Sequence, residues 1–352
     1  MTRRSAASLL ALGLLLVLTV VAAGMSVPYV TVSPGPTVDV LGDDGEKPIV
    51  QVDGEKTFPP EGELRLTTVS VTNPEAELTL LEAMWSWMRT DEDVLPVEAM
   101  YPENSTAEQE RAESAAQMVS SQDTAIAVAL TELGYELPTH VEVTGVNPGG
   151  PSDGELKPRD KIESVQGRPV EELQQLFDAF ADVEPGDVVQ VEVRRGGQPR
   201  TFEIRTTAAQ DDPDRAIVGV LVGTGYDFPF DVRVGIDESI GGPSAGLNFA
   251  LSIYDTLTPG SLTGGDVVAG TGTSAPDGTV GPIGGIREKI IGAQRDGAEL
   301  FFVPPDNCNT AMTAPVDDEG IRLVRADTMH SAVLALEKYA QDPTAELPRC
   351  PT

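Results

Sequence analysis

The run Gly241-Gly242-Pro243-Ser244-Ala245-Gly246-Leu247 decides how the last third of this chain is read. Two glycines permit a sharp turn. Pro243 suits the first turn of a helix, and the apolar sequence from Ala245 to Leu257 predicts that a helix follows. Ser244 is therefore expected at a helix N-terminus, where unpaired N–H groups and the helix dipole favour negative charge. A serine that attacks a carbonyl needs that environment, because attack creates an oxyanion. The backbone amides near Gly242, Pro243 and Ser244 are the expected donors.

A hydroxyl is a poor nucleophile without a base. The candidate base lies in Val280-Gly281-Pro282-Ile283-Gly284-Gly285-Ile286-Arg287-Glu288-Lys289-Ile290-Ile291-Gly292-Ala293. Gly284-Gly285 opens a second helix and Lys289 falls one turn into it. Ile286 and Ala293 share its face at i−3 and i+4. An ammonium on an apolar face near a positive helix end is disfavoured, which moves its pKa from about 10.4 toward neutrality. Arg287 and Glu288 are expected off that face, in solvent. Read singly, Ser244 is a helix cap and Lys289 a surface lysine; read together, they form a nucleophile and its base.

Together these runs resemble the proteolytic domain of Lon-type proteases, which use a Ser-Lys dyad. The resemblance spans about residues 215–340, including "AELFFVPPDNC" at 298–308. It implies a serine endopeptidase with Ser244 and Lys289 catalytic. It also implies a supporting role for Thr271, in Val268-Ala269-Gly270-Thr271-Gly272-Thr273, as the threonine whose hydroxyl orients the amine. One departure stands out: Gly241 occupies the place where Lon proteases usually carry an acidic residue. No G-x-x-x-x-G-K-[ST] phosphate loop is present, so ATP coupling is not expected and no cofactor or metal is implied.

Upstream, "VTGVNPGGPSDGELKPRDKIESVQGRPV" at 143–170 is followed by an expected helix over 170–180, with Leu173, Leu176, Phe177 and Phe180 inward, and a hairpin around Gly196-Gly197. This stretch resembles a PDZ domain, a β-sandwich or barrel-like fold that can take an extended peptide as an added strand. Arg159 replaces the family's usual glycine before Asp160, and Tyr135-Glu136-Leu137-Pro138 is the best candidate for the peptide-carboxylate loop. The alternative is a spacer that only orients the catalytic domain.

Before it, 27–41 reads as an extended stretch punctuated by Ser33-Pro34-Gly35-Pro36, and 64–71 as a strand. Asn73-Pro74-Glu75 marks the start of a helix to Met88, whose Met/Trp stripe is expected to pack inward. The tripeptide Asn104-Ser105-Thr106 matches a glycosylation acceptor but reads better as the start of a helix over 107–133.

At the N-terminus, Arg3 and Arg4 precede 18 uncharged, almost wholly apolar residues from Ala6 to Ala23. The length suits a membrane anchor with the arginines in the cytoplasm and the rest exported; the alternative is a signal peptide cleaved after Val21-Ala22-Ala23. The whole arrangement resembles the membrane-tethered, ATP-independent PDZ–Lon branch, including "YVTVSPGPTVDVLG" at 29–42. That resemblance implies unfolded or flexible protein substrates, and hexameric rings as a common assembly of such domains.

Composition limits the rest. The chain of 352 residues carries 56 acidic and 24 basic residues, a net charge of -32, which repels nucleic acid and anionic headgroups. Two histidines and two cysteines argue against a protein-built zinc site and make a Ser-His-Asp or Cys-His centre unlikely. Outside the cytosol, Cys308 and Cys350 either pair and tie down the tail or remain thiols. The expected fold is a multidomain α+β chain. Residues 1–25 form an anchor and 26–134 an α+β linker region. A PDZ domain follows at 135–207, an α/β Lon-like proteolytic domain at 208–340 and a tail at 341–352. Two rivals remain: a pseudo-protease acting as a PDZ adaptor, and an amidase or self-cleaving protein on the same dyad.

Overall fold

A computed structural model describes residues 3–45, 47–73, 78–101, 107–209, 211–237, 240–316 and 320–351. The principal elements run as follows. Helix α1 (Arg3–Ala23) is followed by β1 (Tyr29–Asp39), β2 (Val50–Asp53), β3 (Glu63–Val71), α2 (Leu80–Met88), β4 (Asp93–Pro96) and α3 (Ala107–Glu132). Next come β5 (Thr139–Val146), β6 (Lys161–Val165), α4 (Leu173–Phe180), β7 (Val188–Arg195), β8 (Gln198–Arg205), β9 (Val220–Tyr226) and β10 (Asp231–Val234). The chain then forms α5 (Gly246–Leu257), β11 (Val267–Gly270), α6 (Ile286–Arg295), β12 (Leu300–Val303), β13 (Arg322–Arg325) and α7 (Met329–Gln341).

The catalytic sheet has the order β13-β12-β11-β3-β1-β4. Strands β11, β12 and β13 pair in parallel, as expected where helices cover the faces; β1 pairs antiparallel with both β3 and β4. The parallel pairing of β11 with β3 sets Val268 opposite Leu64. Residues 26–134, expected as a separate linker region, thus supply three strands to the sheet that carries the catalytic motifs. The extended stretch at 27–41 is one 11-residue strand rather than a broken one, and its prolines fall at a register shift between Pro34 and Thr37. That is where a residue lacking an N–H is tolerated.

The second sheet runs β8-β7-β6-β5-β9. Val143, Ile162, Val165, Val189, Val191, Val193 and Ile204 form a core of their own against Leu176 and Ala179 of α4. Strand β9 completes this sheet at its edge, beyond the bound of 207 expected from the sequence. Phe177, expected inward, is 59% exposed. Arg159 takes a φ of +67°, the conformation for which glycine is usual, and its guanidinium reaches Asp123 of α3 at 3.0 Å.

Helix α3 joins the two units. Ala125, Ile126, Val128, Ala129 and Leu130 belong to the large core that α5, α7 and the catalytic sheet share. Earlier on the same helix, Ala116 lies so close to Gly145 of β5 that a Cβ there would sit 2.6 Å from the alanine methyl.

Helix α1 forms where the sequence predicts an anchor, with Leu10 75% exposed. Among the described residues, however, no helix is long and apolar enough to cross a membrane. The transmembrane helix of the expected fold is therefore not carried by the structure itself. Helix α2 is also shorter than predicted: it begins at Leu80, capped by Thr79 rather than Asn73. The predicted starts at Pro74-Glu75 and at Asn104-Ser105-Thr106 lie outside the described residues. The Met/Trp stripe does not pack inward; Trp85 is 64% and Met88 65% exposed.

Candidate active site

Helix α6 lies across β1 and β3, and Lys289 sits on its buried side, one turn in. Gly285 caps the helix in the left-handed conformation at φ +67°, and a Cβ there would stand 2.5 Å from Val69 of β3. That close approach draws the first turn onto the sheet and Lys289 beneath the neighbouring loop. Lys289 is only 3% exposed. Burial lowers its pKa to about 8 from the ordinary 10.5. Desolvation disfavours the ammonium, as predicted from the apolar face. Glu288, expected in solvent, is buried instead; burial raises its carboxyl pKa and nearby Asp93 adds to the shift. Arg287 is drawn to Asp93 at 2.8 Å.

Ser244 stands in a tight turn. The helix it precedes starts at Gly246 with Ala245 as cap, three residues later than Pro243 would suggest. The Ser244 carbonyl is fixed by two donors from one loop, the Thr271 hydroxyl at 3.0 Å and the Gly272 N–H at 2.9 Å. The Ser244 side chain remains partly open to solvent. Its Oγ lies 2.9 Å from Lys289 Nζ, and the same amine donates to Thr271 Oγ1 at 3.1 Å.

Thr271 thus does two things at once. Its one proton goes to the Ser244 carbonyl, so its lone pairs are left to accept from the amine. A neutral Lys289 that gives an N–H to Thr271 can turn its lone pair toward Ser244 Oγ, as a base must. The three residues singled out in the sequence come together, although 27 positions separate Ser244 from Thr271 and 18 separate Thr271 from Lys289.

The expected oxyanion donors divide. The Gly242 N–H is given to the Ser114 carbonyl of α3 at 3.1 Å, and Pro243 has no N–H to offer. Among the described residues, the Ser244 and Ala245 amides have no backbone partner, so the free donors lie at and after the serine. Helix α3 also holds the loop from the far side, where Ser121 Oγ donates to the Pro243 carbonyl at 3.2 Å. A Cβ on Gly241 would meet Ser114 Oγ at 2.1 Å. The glycine in the position usually acidic in Lon proteases is therefore what lets α3 approach. Sequence reasoning missed Ser114 and Ser121, because nothing in a polar helix announces a partner more than a hundred positions away.

A cavity of about 300 Å³ opens beside the dyad, lined by Lys289, Ser244 and Gly242 with Leu66, Val69 and Met118. A second, of about 1090 Å³, follows α4 and the edge strand β9, between Phe177, Phe180 and the segment 214–222. This groove lies where a peptide would add to the sheet edge. Residues 135–138, the candidate loop from the sequence, do not line it; Tyr135 packs on Phe230 instead. The sequence signal that was overlooked is Gly219 before the apolar run 220–222. Cys308 and Cys350 are joined in a disulfide with their Cα atoms 5.3 Å apart.

Residues 237–335 match the family model of the Lon protease (S16) C-terminal proteolytic domain, and residues 116–206 match the model of the PDZ domain. The chain is 34% identical over 124 residues to the Lon protease of Desulforamulus reducens, which covers 34% of this chain and 15% of that protein. It is 44% identical over 66 residues to Lon protease 1 of Sorangium cellulosum, covering 19% and 8%. It spans only a small part of the length of these relatives. Among solved structures, the PDZ domain of the SdrC-like protein from Listeria monocytogenes is 21% identical, covering 24% of this chain and 86% of that one, with a TM-score of 0.22. The domain matches and Lon relatives support a serine-type peptidase.

Proposed function

We propose that this chain is an ATP-independent serine endopeptidase that cuts unfolded or flexible protein segments outside the cytoplasm, while tethered to a membrane by α1. Ser244 Oγ attacks the scissile carbonyl as its proton passes to the neutral Lys289 amine. The tetrahedral oxyanion is held by the Ser244 and Ala245 amides. Lys289 then returns the proton to the leaving amine, and an acyl-enzyme remains on Ser244. Water, deprotonated by Lys289, releases the acyl product and restores the serine. Thr271 aims the amine, and the groove at β9 takes a peptide that recruits substrate or regulates cleavage.

The observation that carries this reading is the 2.9 Å approach of a buried, desolvated lysine to a solvent-accessible serine. Its extracytoplasmic setting is supported by the disulfide, since such bonds persist in oxidising compartments. The tether is supported by the uncharged apolar run of the sequence from Ala6 to Ala23 and by the outward leucines of α1.

The test is full-length chain in detergent micelles with casein and no ATP, beside Ser244→Ala and Lys289→Ala. Cleavage by the native chain and by neither variant is expected. Equal cleavage by all three would remove the dyad from the mechanism. Absence of cleavage, with peptide still bound at the β9 groove, would favour a tethered adaptor.

A further inference from the structure

Helix α2 presents its apolar residues the wrong way round for a protein in water. Its small residues Ala83 and Ser86 are buried against the fold. Its large ones, Leu81, Met84, Trp85, Trp87 and Met88, are between 38% and 78% exposed. The helix is not frayed. Thr79 Oγ1 accepts the Glu82 N–H at 3.3 Å, and a Glu82 carboxylate oxygen accepts the Thr79 N–H at 2.9 Å. Contiguous apolar exposure on a firmly held helix marks a surface that something else covers.

What covers it follows from its neighbour. The Leu80 N–H donates to the Met25 carbonyl at 2.9 Å and the Val27 N–H to the Leu78 carbonyl at 2.9 Å, so α2 begins against the end of α1. Met25, 44% exposed, continues the apolar surface from α1 to α2. Tryptophan prefers the boundary between hydrocarbon and headgroups, where its ring is buried and its N–H still finds a partner. The polar ends, Glu82 and the Arg89–Asp91 pair at 3.0 Å, suit the wet side of such a boundary. The net charge of -32 disfavours anionic lipid, so the contact must be apolar rather than electrostatic.

We infer that α2 lies in the outer interface of the bilayer, with Trp85 and Trp87 among neutral lipid headgroups, so that the catalytic domain is held against the membrane surface as well as tethered to it. This rests on the tether proposed for α1. It adds a second, independent attachment that limits how far the active site stands from the bilayer.

The chain has only two tryptophans, both on α2, so its tryptophan emission, excited selectively over its tyrosines, reports this helix alone. Full-length protein would be reconstituted in phosphatidylcholine vesicles and floated on a density gradient. The same protein would then be studied with phosphatidylcholine brominated near the top of the acyl chains. The expected result is flotation, blue-shifted emission, loss of most of that emission in brominated vesicles and little quenching by aqueous iodide. Flotation with red-shifted, iodide-quenched emission would overturn the inference while leaving the tether intact. Flotation with emission protected from both quenchers would overturn it too, placing the helix against protein, either a second copy or a substrate. Failure to float would overturn the tether and the interfacial helix together. Casein cleavage by the same preparation reads the dyad separately from all of these outcomes.

Discussion

At the scale of residues, the proposed mechanism turns on the protonation of one amine. Burial lowers the Lys289 pKa to about 8, so the fraction of neutral base rises with pH up to that value and then levels. We expect kcat/KM for peptide cleavage to climb about tenfold per pH unit well below 8 and to reach a plateau above it, as read from a pH–rate profile of the free enzyme. Stability has a linked dependence. Between about 8 and 10.5 the unfolded chain holds a proton that the folded chain has released, so folding stability rises with pH across that window. Thr271→Val removes the acceptor that steadies the amine and also favours its charged form. The plateau is expected to fall by roughly tenfold, the scale of one hydrogen bond, and the rising limb to move to lower pH. Thr271→Ser keeps the hydroxyl and should restore both. An unchanged profile in Thr271→Val would show that the amine is oriented by packing alone.

At the scale of elements, local signals were legible and inverted or distant ones were not. Gly284-Gly285 and the apolar face around Lys289 located the start of α6, because a glycine turn and a helical period are written in adjacent positions. The same period misplaced α2: spacing shows that one face is apolar, but not whether that face meets protein or lipid. Glu288 was misread because its surroundings are assembled by tertiary packing: its neighbour Asp93 is brought beside it by the pairing of β4 with β1. The cysteine pair was left open for the same reason, since spacing alone does not bring two distant thiols together. The disulfide packs with Ile286, Ile290 and Ala293, directly behind the catalytic helix. Closing a separation of 42 residues should contribute up to about 4 kcal/mol through the unfolded chain. Cys350→Ser is therefore expected to lower the denaturant midpoint. Reductant should produce the same loss in the native chain and no further loss in the variant. If reductant leaves the native midpoint unmoved, the bond contributes nothing to stability.

At the scale of the whole molecule, helix α3 links the PDZ unit and the catalytic unit. Its second half is core to the catalytic fold, Asp123 pairs with Arg159 of the PDZ unit, and Ser114 and Ser121 grip the loop that carries Ser244. The sequence could not announce this, because the residues of α3 that serve other elements are small or polar and lack the periodic apolar signature by which helix partners are read. The shared helix has a thermodynamic consequence: losing α3 would open the catalytic core and uncover the face of the β5–β9 sheet edge that it packs on. Heat should therefore unfold the chain beyond α1 in a single calorimetric transition, despite two sheets with separate interiors. The contact at Ala116 offers the means to break that unity. Gly145→Val would put a branched side chain where a single Cβ already stands 2.6 Å from the alanine methyl, and Leu221 at 3.3 Å leaves no room on the other side. Sheet β5–β9 must then retreat from α3. The variant is expected to show two separated transitions, with the PDZ unit melting first. Its casein cleavage should fall because the Ser114 and Ser121 contacts lose their rigid support, while a short peptide ester is still cleaved by the intact dyad. A single transition at the native temperature, with cleavage unchanged, would mean that α3 belongs energetically to the catalytic unit alone.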